Sequence, residues 1–152
     1  MAINNDWLLR QVDINNAFLN GDLTETVYMP QPEGFKDKNR PNYICKLEKA
    51  LYALRQALRA WFDKLKGALS SWEFKNSNSD TSLFFKRVES KIVIMLIYVD
   101  DIIITRNDSQ GIAEVIKDLN TSFALKDLEN LNFFLRIQVI MSQNSILLSQ
   151  AK

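Results

Sequence analysis

Apolar positions along the chain recur with two different periods, and each change of period marks a predicted element. A spacing of three to four residues predicts amphipathic helices over 57–72 and 109–123. Asp108 or Ser109 is the expected N-cap of the second helix, because short polar side chains cap helix N-termini. Shorter apolar or alternating segments predict strands at 8–14, 83–88, 91–99, 102–105, 132–139 and 145–148.

The order of these elements indicates the fold class. Strand, helix, hairpin, helix and strand in succession are typical of a split β-α-β, ferredoxin-like sheet, so we predict an α+β fold with both helices on one face. In such a sheet the end of the first strand can lie beside the central hairpin turn, which would bring Asp13 next to Asp100. The 152 residues are enough for about one domain with its own core.

Two adjacent acids, Asp100 and Asp101, interrupt the most apolar stretch of the chain, residues 92–104. Carboxylates buried there would need a bound cation, a partner or water to offset their desolvation. A tight turn between two strands would instead present both acids at a sheet edge. The pattern alone is compatible with a divalent-cation site and, equally, with an ordinary exposed Asp-Asp turn.

The composition excludes several kinds of chemistry. The chain has no histidine and one cysteine, which excludes histidine-based catalysis, a His-ligated zinc site and an internal disulfide. Residues 36–66 contain nine Lys/Arg and three acidic residues, a composition that suits phosphate contact or a solvated helix face. Membrane-length apolar runs and a signal peptide are both absent. We therefore expect an intracellular location, cytoplasmic or nuclear, and no membrane partner.

A series of short motifs follows in a fixed order along almost the whole chain. They lie at 11–21, 27–35, 45–47, 50–52, 59–62, 80–84, 98–101 (YVDD), 126–128 and 134–135. In this order they resemble the reverse transcriptase domain of Ty1/copia-type retrotransposons. The resemblance implies an RNA-directed DNA polymerase of a Pol polyprotein, a reverse-transcriptase palm, and two-metal nucleotidyl transfer with Mg²⁺ or Mn²⁺. It also implies an RNA or DNA template with primer, deoxynucleoside triphosphates, and RNase H and integrase elsewhere in the polyprotein.

The resemblance assigns the catalytic acids residue by residue. Asp13 and Asp100 resemble the primary metal-binding aspartates of the family, and Asp101 resembles the ancillary acid of its YxDD motif. Such carboxylates, with waters and substrate phosphates, form the usual Mg²⁺ environment. The resemblance starts just upstream of Asp13 and stops soon after the primer-grip region. We therefore expect residues 1–152 to be a single, partial domain, a truncated copy with partial fingers and no thumb.

Five further residues are implied to contact nucleotide or primer–template. Phe18 lies where the family places the aromatic gate that selects deoxynucleotides; its alternative is a core residue after a turn. Tyr52, Arg55 and Gln56 lie in the loop that resembles the nucleotide- and template-facing segment, although Tyr52 could equally serve packing. Tyr98 is implied to pack beneath the metal turn near the primer end.

The chain departs from the family pattern at several positions. Where the family has glycine it carries Ala53, Glu73, Arg106, Glu129 and Arg136, and where the family has proline it carries Leu58. Glycine supplies positive φ or close backbone approach, so we expect strain and a weak or inactive, degenerate polymerase. Two alternatives stay open: a catalytically dead nucleic-acid-binding remnant, and a plain α+β interaction module.

Overall fold

The computed structural model describes residues 7–52, 54–108, 110–142 and 145–150. The chain forms two compact units, one made of residues 1–16 and 67–152 and the other of residues 17–66. The elements in chain order are β1 (Leu8–Ile14), a 3₁₀ turn (Ala17–Asn20), β2 (Tyr28–Pro30), β3 (Ile44–Lys46), α1 (Ala57–Ser71), β4 (Lys75–Asn76), β5 (Leu83–Val88), β6 (Lys91–Tyr98), β7 (Asp101–Arg106), α2 (Gln110–Ser122), β8 (Leu125–Asn130), β9 (Phe133–Phe134), β10 (Ile137–Ser142) and β11 (Ser145–Gln150).

The first unit is built on a six-stranded sheet in the order β4-β5-β6-β7-β1-β8. All neighbouring strands are antiparallel. The predicted α+β class is confirmed, as are both helices, the β5–β6 hairpin and the strand that follows the acidic pair. Because β7 comes between β6 and β1 in this order, the β6–β7 turn reaches the end of β1.

The predicted single strand at 132–139 is wrong, because this stretch contains two strands, β9 and the start of β10. The strand that pairs with β1 is β8, which the hydrophobic pattern missed because five of its six residues are exposed. Residues 135 and 136 both have positive φ, 51° and 64°, and they separate β9 from β10. These two strands join β11 in a separate three-stranded sheet.

The core of the first unit lies where the central strands meet α2. Every second residue of β6 is buried, and Ile102, Ile104 and Val12 on the neighbouring strands are fully buried. From α2, Ile112 and Leu119 are also buried, and this helix contacts β7 and β8. That both helices cover one face stays a prediction.

Helix α2 begins at the predicted cap. The Asp108 carboxylate accepts a 2.7 Å hydrogen bond from the backbone N–H of Gly111, and this bond holds the pKa of Asp108 below its ordinary value. The side chain thereby satisfies one of the open N–H groups at the helix start. Within the described residues, neither helix has the length and hydrophobicity needed to cross a membrane.

The second unit contains a short antiparallel ribbon, β2 with β3, in which Tyr28 pairs with Lys46 and Met29 with Cys45. The sequence pattern did not predict these strands, since each has three residues and only its middle residue is partly buried. The first turns of α1 complete the unit, and Ala57, Trp61 and Leu65 of that helix are buried.

Candidate active site

The three predicted catalytic acids lie together in the first unit. Asp13, the penultimate residue of β1, is in register with Asp101, the first residue of β7. The backbone N–H of Ile14 donates a 2.9 Å hydrogen bond to the carbonyl oxygen of Asp100. Asp13 therefore lies beside the β6–β7 turn, which is the neighbourhood that the strand order predicted.

The turn itself is strained. Tyr98 pairs with Asp101, so Val99 and Asp100 form a two-residue connection, and Val99 has a φ of 56°. A β-branched residue in the left-handed region is a genuine outlier, because its side chain crowds the backbone. Strain of this kind persists only when the surrounding structure holds it, here two strands whose residues Ile97 and Ile102 are buried. The acidic pair is thus held at one end of a rigid hairpin.

The acids repel one another. Burial raises the pKa of the Asp13 carboxyl above its ordinary value of 3.8, and the negative charges of Asp100 and Asp101 raise it further, while Lys126 acts in the opposite direction. Asp101 is also oriented, since the buried amide of Gln11 donates a 3.1 Å hydrogen bond to its Oδ1. The site therefore concentrates negative charge that a cation would relieve.

The donor set fits a hard cation that keeps part of its water shell. In the part of the chain that the structure describes, no group of three or more His, Cys, Asp or Glu side chains is arranged to hold a metal ion. Mg²⁺ is commonly bound by one or two carboxylates, with water and substrate phosphates completing the octahedron. One or two of these acids could supply such ligands. The absence of a three-ligand group among the described residues excludes a closed all-protein cage there, but not this open arrangement.

The raised pKa of Asp13 has a consequence for stability. Below about pH 3.8 the carboxyl is protonated in both the folded and the unfolded chain, so no penalty arises. As the pH rises from there through the raised folded pKa, folding stability falls, and above that pKa the full penalty is present. We expect Asp13→Asn to raise the melting temperature at pH 7 and to leave it unchanged at pH 3.

Thermal unfolding followed by circular dichroism at both pH values measures this difference. Asp118→Asn is the matched control, since it removes one charge from an exposed position on α2 and should not reproduce the pH-dependent gain. An Asp13→Asn chain that is less stable than the wild type at pH 7 would contradict the electrostatic argument.

Two of the predicted nucleotide-contact residues lie together in the second unit. The rings of Phe18 and Tyr52 meet edge to face, with centroids 5.1 Å apart and an interplanar angle of 83°. Phe18 is half-buried, whereas Tyr52 is 84% exposed. The pair therefore forms an aromatic surface open to solvent, and Phe18 is not a fully buried core residue.

The remaining predicted contact residues are placed separately. Arg55 is exposed, and Gln56 lines an open cavity of about 460 Å³ in the second unit. Tyr98, 54% exposed, is the last residue of β6 in the first unit. The other residues lining the cavity are Asp22, Thr24, Arg59, Ala60, Asp63 and Lys64. Sequence reasoning missed Asp22, although its position after a tight Asn-Gly turn was visible.

Asp22 ties three segments of the second unit together. Its carboxylate accepts hydrogen bonds from Nζ of Lys64 at 2.7 Å and of Lys49 at 3.0 Å, and these two bonds hold the pKa of Asp22 below its ordinary range. The preceding Gly21 lies against the backbone of α1, where an added Cβ would be 2.9 Å from the Trp61 nitrogen. Only glycine fits at this contact.

Gly21→Ala should therefore destabilise the chain by about 1–3 kcal/mol, because the new methyl group forces the turn away from α1. Gly67→Ala provides a matched control, since a Cβ at that exposed position in α1 meets open space. Alanine there should stabilise the helix by roughly 0.5–1 kcal/mol. Urea unfolding measures both changes, and a Gly21→Ala chain as stable as the wild type would refute the close approach.

Three of the positions at which the resemblance implies glycine adopt the conformation that glycine favours. Glu73, Glu129 and Arg136 have φ values of 66°, 64° and 64°. Arg106 does not belong to this group: it lies in β7, and its guanidinium covers Gly111 and pairs with Asp108. Ala53 lies outside the described residues. Among the replaced glycine positions that the structure describes, the expected backbone strain is therefore found at 73, 129 and 136.

Comparison with known proteins identifies the family. A profile of the reverse transcriptase (RNA-dependent DNA polymerase) family matches residues 1–152. Over its full length the chain is 49% and 46% identical to the retrovirus-related Pol polyproteins from transposons RE1 and RE2 of Arabidopsis thaliana, and 39% identical to that from transposon TNT 1-94 of Nicotiana tabacum. It spans about a tenth of the length of these relatives, 10%, 10% and 12% respectively. The chain belongs to the reverse transcriptase family, as a domain of the copia-type Pol polyproteins.

Proposed function

We propose that this chain carries the metal-binding palm of an RNA-directed DNA polymerase that extends a primer with deoxynucleotides. The observation that carries the proposal is the position of Asp13 beside the turn that holds Asp100 and Asp101. An exposed Asp-Asp turn would have no reason to adjoin a third, partly buried acid whose pKa is raised by burial and by the charges of Asp100 and Asp101.

The strand order supports the palm assignment. β8, β1, β7 and β6 are adjacent in that order, with α1 and α2 in the connections between them, which is the arrangement of a split β-α-β sheet. In this arrangement Asp13 and Asp100 would hold Mg²⁺ or Mn²⁺, and Gln11 would keep Asp101 in place as the ancillary acid. Two such ions would stabilise the attacking and leaving oxygens of nucleotidyl transfer.

The contact residues have proposed roles in the same reaction. Phe18, supported from its edge by Tyr52, would exclude a ribose 2′-hydroxyl, and Arg55 and Gln56 would face nucleotide and template. Tyr98, exposed at the end of β6, would contact the primer. The partners of this activity would be a primed RNA or DNA template, deoxynucleoside triphosphates, and the RNase H and integrase regions of a Pol polyprotein in the cytoplasm or nucleus.

We further propose that the activity of this particular chain is low. Glu129 lies within β8, at the irregularity in its pairing with β1, and Arg136 separates β9 from β10. Both residues have the left-handed conformation. L-residues in that region cost about 1–2 kcal/mol each, a cost that a chain can reduce by shifting the backbone. Shifts of this kind would displace the segments that the family resemblance assigns to the primer.

Metal binding is the first part of the proposal to test. Electron paramagnetic resonance of Mn²⁺ titrated into the chain should show binding that Asp100→Asn weakens at least ~10-fold, because it removes a ligand and a charge. Asp118→Asn, an equal change of charge on the exposed face of α2, should bind Mn²⁺ as the wild type does. Equal binding by all three chains would favour the interaction module, with its solvated acidic turn.

A further inference from the structure

The loop that joins β2 to β3, residues 31–43, is ordered around one side chain. The amide of Gln31 donates to the carbonyl oxygens of Arg40 and Tyr43 at 2.8 and 2.9 Å, and its Oε1 accepts from the backbone N–H of Asp37 at 2.7 Å. Gly34, with a φ of 84°, lies in a turn near the start of the loop, which the backbone N–H of Phe35 closes by donating to the carbonyl oxygen of Pro32 at 3.0 Å. We call residues 31–43 the tip loop. Its backbone is held in place without burying its side chains.

Large aromatic side chains of the tip loop and its ribbon are exposed to solvent. Phe35 is 84% exposed, Tyr43 63% and Tyr28 57%. Tyr43 also carries the guanidinium of Arg40 over its ring, 5.3 Å from the centroid. Aromatic groups on an ordered loop have little conformational entropy left to lose on binding. They are therefore suited to stack on a flat partner.

Positive charge accompanies these rings. Lys36, Lys38 and Arg40 on the loop and Lys46 on β3 are exposed, and none of them forms a salt bridge with a carboxylate among the residues that the structure describes. The loop also contains two acids, Glu33 and Asp37. Asp37 is engaged within the loop, where its Oδ1 accepts from the backbone N–H of Asn39.

We propose that the tip loop is a binding site for single-stranded nucleic acid. Exposed rings offer stacking surfaces that only unpaired bases can use, and exposed cations that form no ion pair among the described residues suit the phosphates. A duplex hides its base faces, so it would be held by charge alone. The tip loop contains none of the candidate catalytic acids Asp13, Asp100 and Asp101. The proposed site therefore goes beyond the proposed polymerase chemistry and does not depend on it.

Fluorescence anisotropy of labelled oligo(rU) and oligo(dT) of about 12 nucleotides, a length within the usual site size, tests the proposal in the absence of metal. We expect Phe35→Ala with Tyr43→Ala to weaken binding roughly 10-fold or more. The triple change Lys36→Ala, Lys38→Ala and Arg40→Ala should reduce the slope of log K against log salt by about 2, since each contact to a single strand contributes about 0.7.

Two control chains make the outcome specific. One control chain removes the same charge from exposed positions of the first unit by the triple change Lys75→Ala, Arg87→Ala and Lys117→Ala. The other control chain removes an exposed ring there by Phe133→Ala. Both should bind as the wild type does. Equal weakening by the two triple changes, duplex binding as tight as single-strand binding, or no effect of the aromatic changes would overturn the tip-loop site. Loss of Mn²⁺ binding would not affect it.

Discussion

Returning glycine to positions 73, 129 and 136 should raise the melting temperature of the chain by roughly 4–8 °C. Each of these residues has a positive φ near 65°, where a Cβ costs about 1–2 kcal/mol. Part of that gain is offset, because the greater conformational entropy of glycine stabilises the unfolded chain by ~0.4–1 kcal/mol per site. A net gain of about 2 kcal/mol over three sites corresponds to the expected shift for a chain of this size.

The glycine substitutions would remove few stabilising side-chain contacts. Glu73 follows the end of α1, where the backbone N–H of Phe74 donates to the carbonyl of Leu69 at 3.0 Å; this is the pattern of a helix C-terminus closed by a left-handed residue. Its carboxylate pairs with Lys86 at 3.1 Å but is 81% exposed, so the pair contributes little. The Glu129 backbone N–H bonds Oδ1 of Asp127, a bond that glycine keeps.

Alanine at the same three positions is the matched control. Glu73→Ala, Glu129→Ala and Arg136→Ala remove the same side-chain atoms beyond Cβ but keep the steric conflict, so the melting temperature should stay within ~2 °C of the wild type. Circular dichroism of the three chains decides the matter. A gain in the alanine chain equal to that in the glycine chain would assign the effect to charge or solubility and refute backbone strain.

In a primer-extension assay, nucleotide incorporation by the unmodified chain should be at least about 100-fold lower than by a chain in which the replaced glycines and proline are restored. Correct positioning of the reactants can lower the activation barrier by ~7–11 kcal/mol, and a misplacement of about 1 Å can lower the rate 10²-fold. We expect no processive extension of oligo(dT) on poly(rA) with Mg²⁺ or Mn²⁺ by the unmodified chain. Glycine at 53, 106, 129 and 136 with proline at 58, placed in a full-length Pol polyprotein, should raise incorporation.

The repaired polyprotein also shows whether the acids are catalytic. Adding Asp100→Asn to it should reduce incorporation at least ~100-fold, as expected when charge stabilisation of the transition state is lost, whereas Asp118→Asn should leave it unchanged. Robust, Asp100-dependent synthesis by the unmodified chain would refute the argument from positioning. A repaired polyprotein that binds Mn²⁺ but incorporates nothing would instead refute the polymerase proposal and favour a nucleic-acid-binding remnant.

The two helices and the β5–β6 hairpin could be predicted from the sequence because their apolar periods report burial directly. Trp61, Leu65 and Leu69 recur on one side of α1 and are buried, as the helical period requires. The same signal failed where burial is slight. The strands β2, β3 and β8 are held mainly by backbone hydrogen bonds, and these leave no trace in the pattern of side chains.

The identity of the candidate catalytic acids was also present in the sequence, in the YVDD motif and in the resemblance around Asp13. Their mutual placement depended on register. Asp13 meets Asp101 only because β7 pairs antiparallel with β1 in one alignment, and a slip of one residue would turn the side chain to the other face. Likewise, the resemblance marked five replaced glycines, and backbone dihedrals alone distinguish the strained Glu129 from Arg106.

Local sequence therefore determined which segments become helices and hairpins, which acids interrupt an apolar strand, and which family the chain resembles. These properties depend on neighbouring residues and on composition. Tertiary structure alone decided the edge contact of Phe18 with Tyr52, the two lysines on Asp22 and the raised pKa of Asp13. Each of these joins residues far apart in the chain, and the contacts exist only once strand pairing and loop packing have fixed the distances between them.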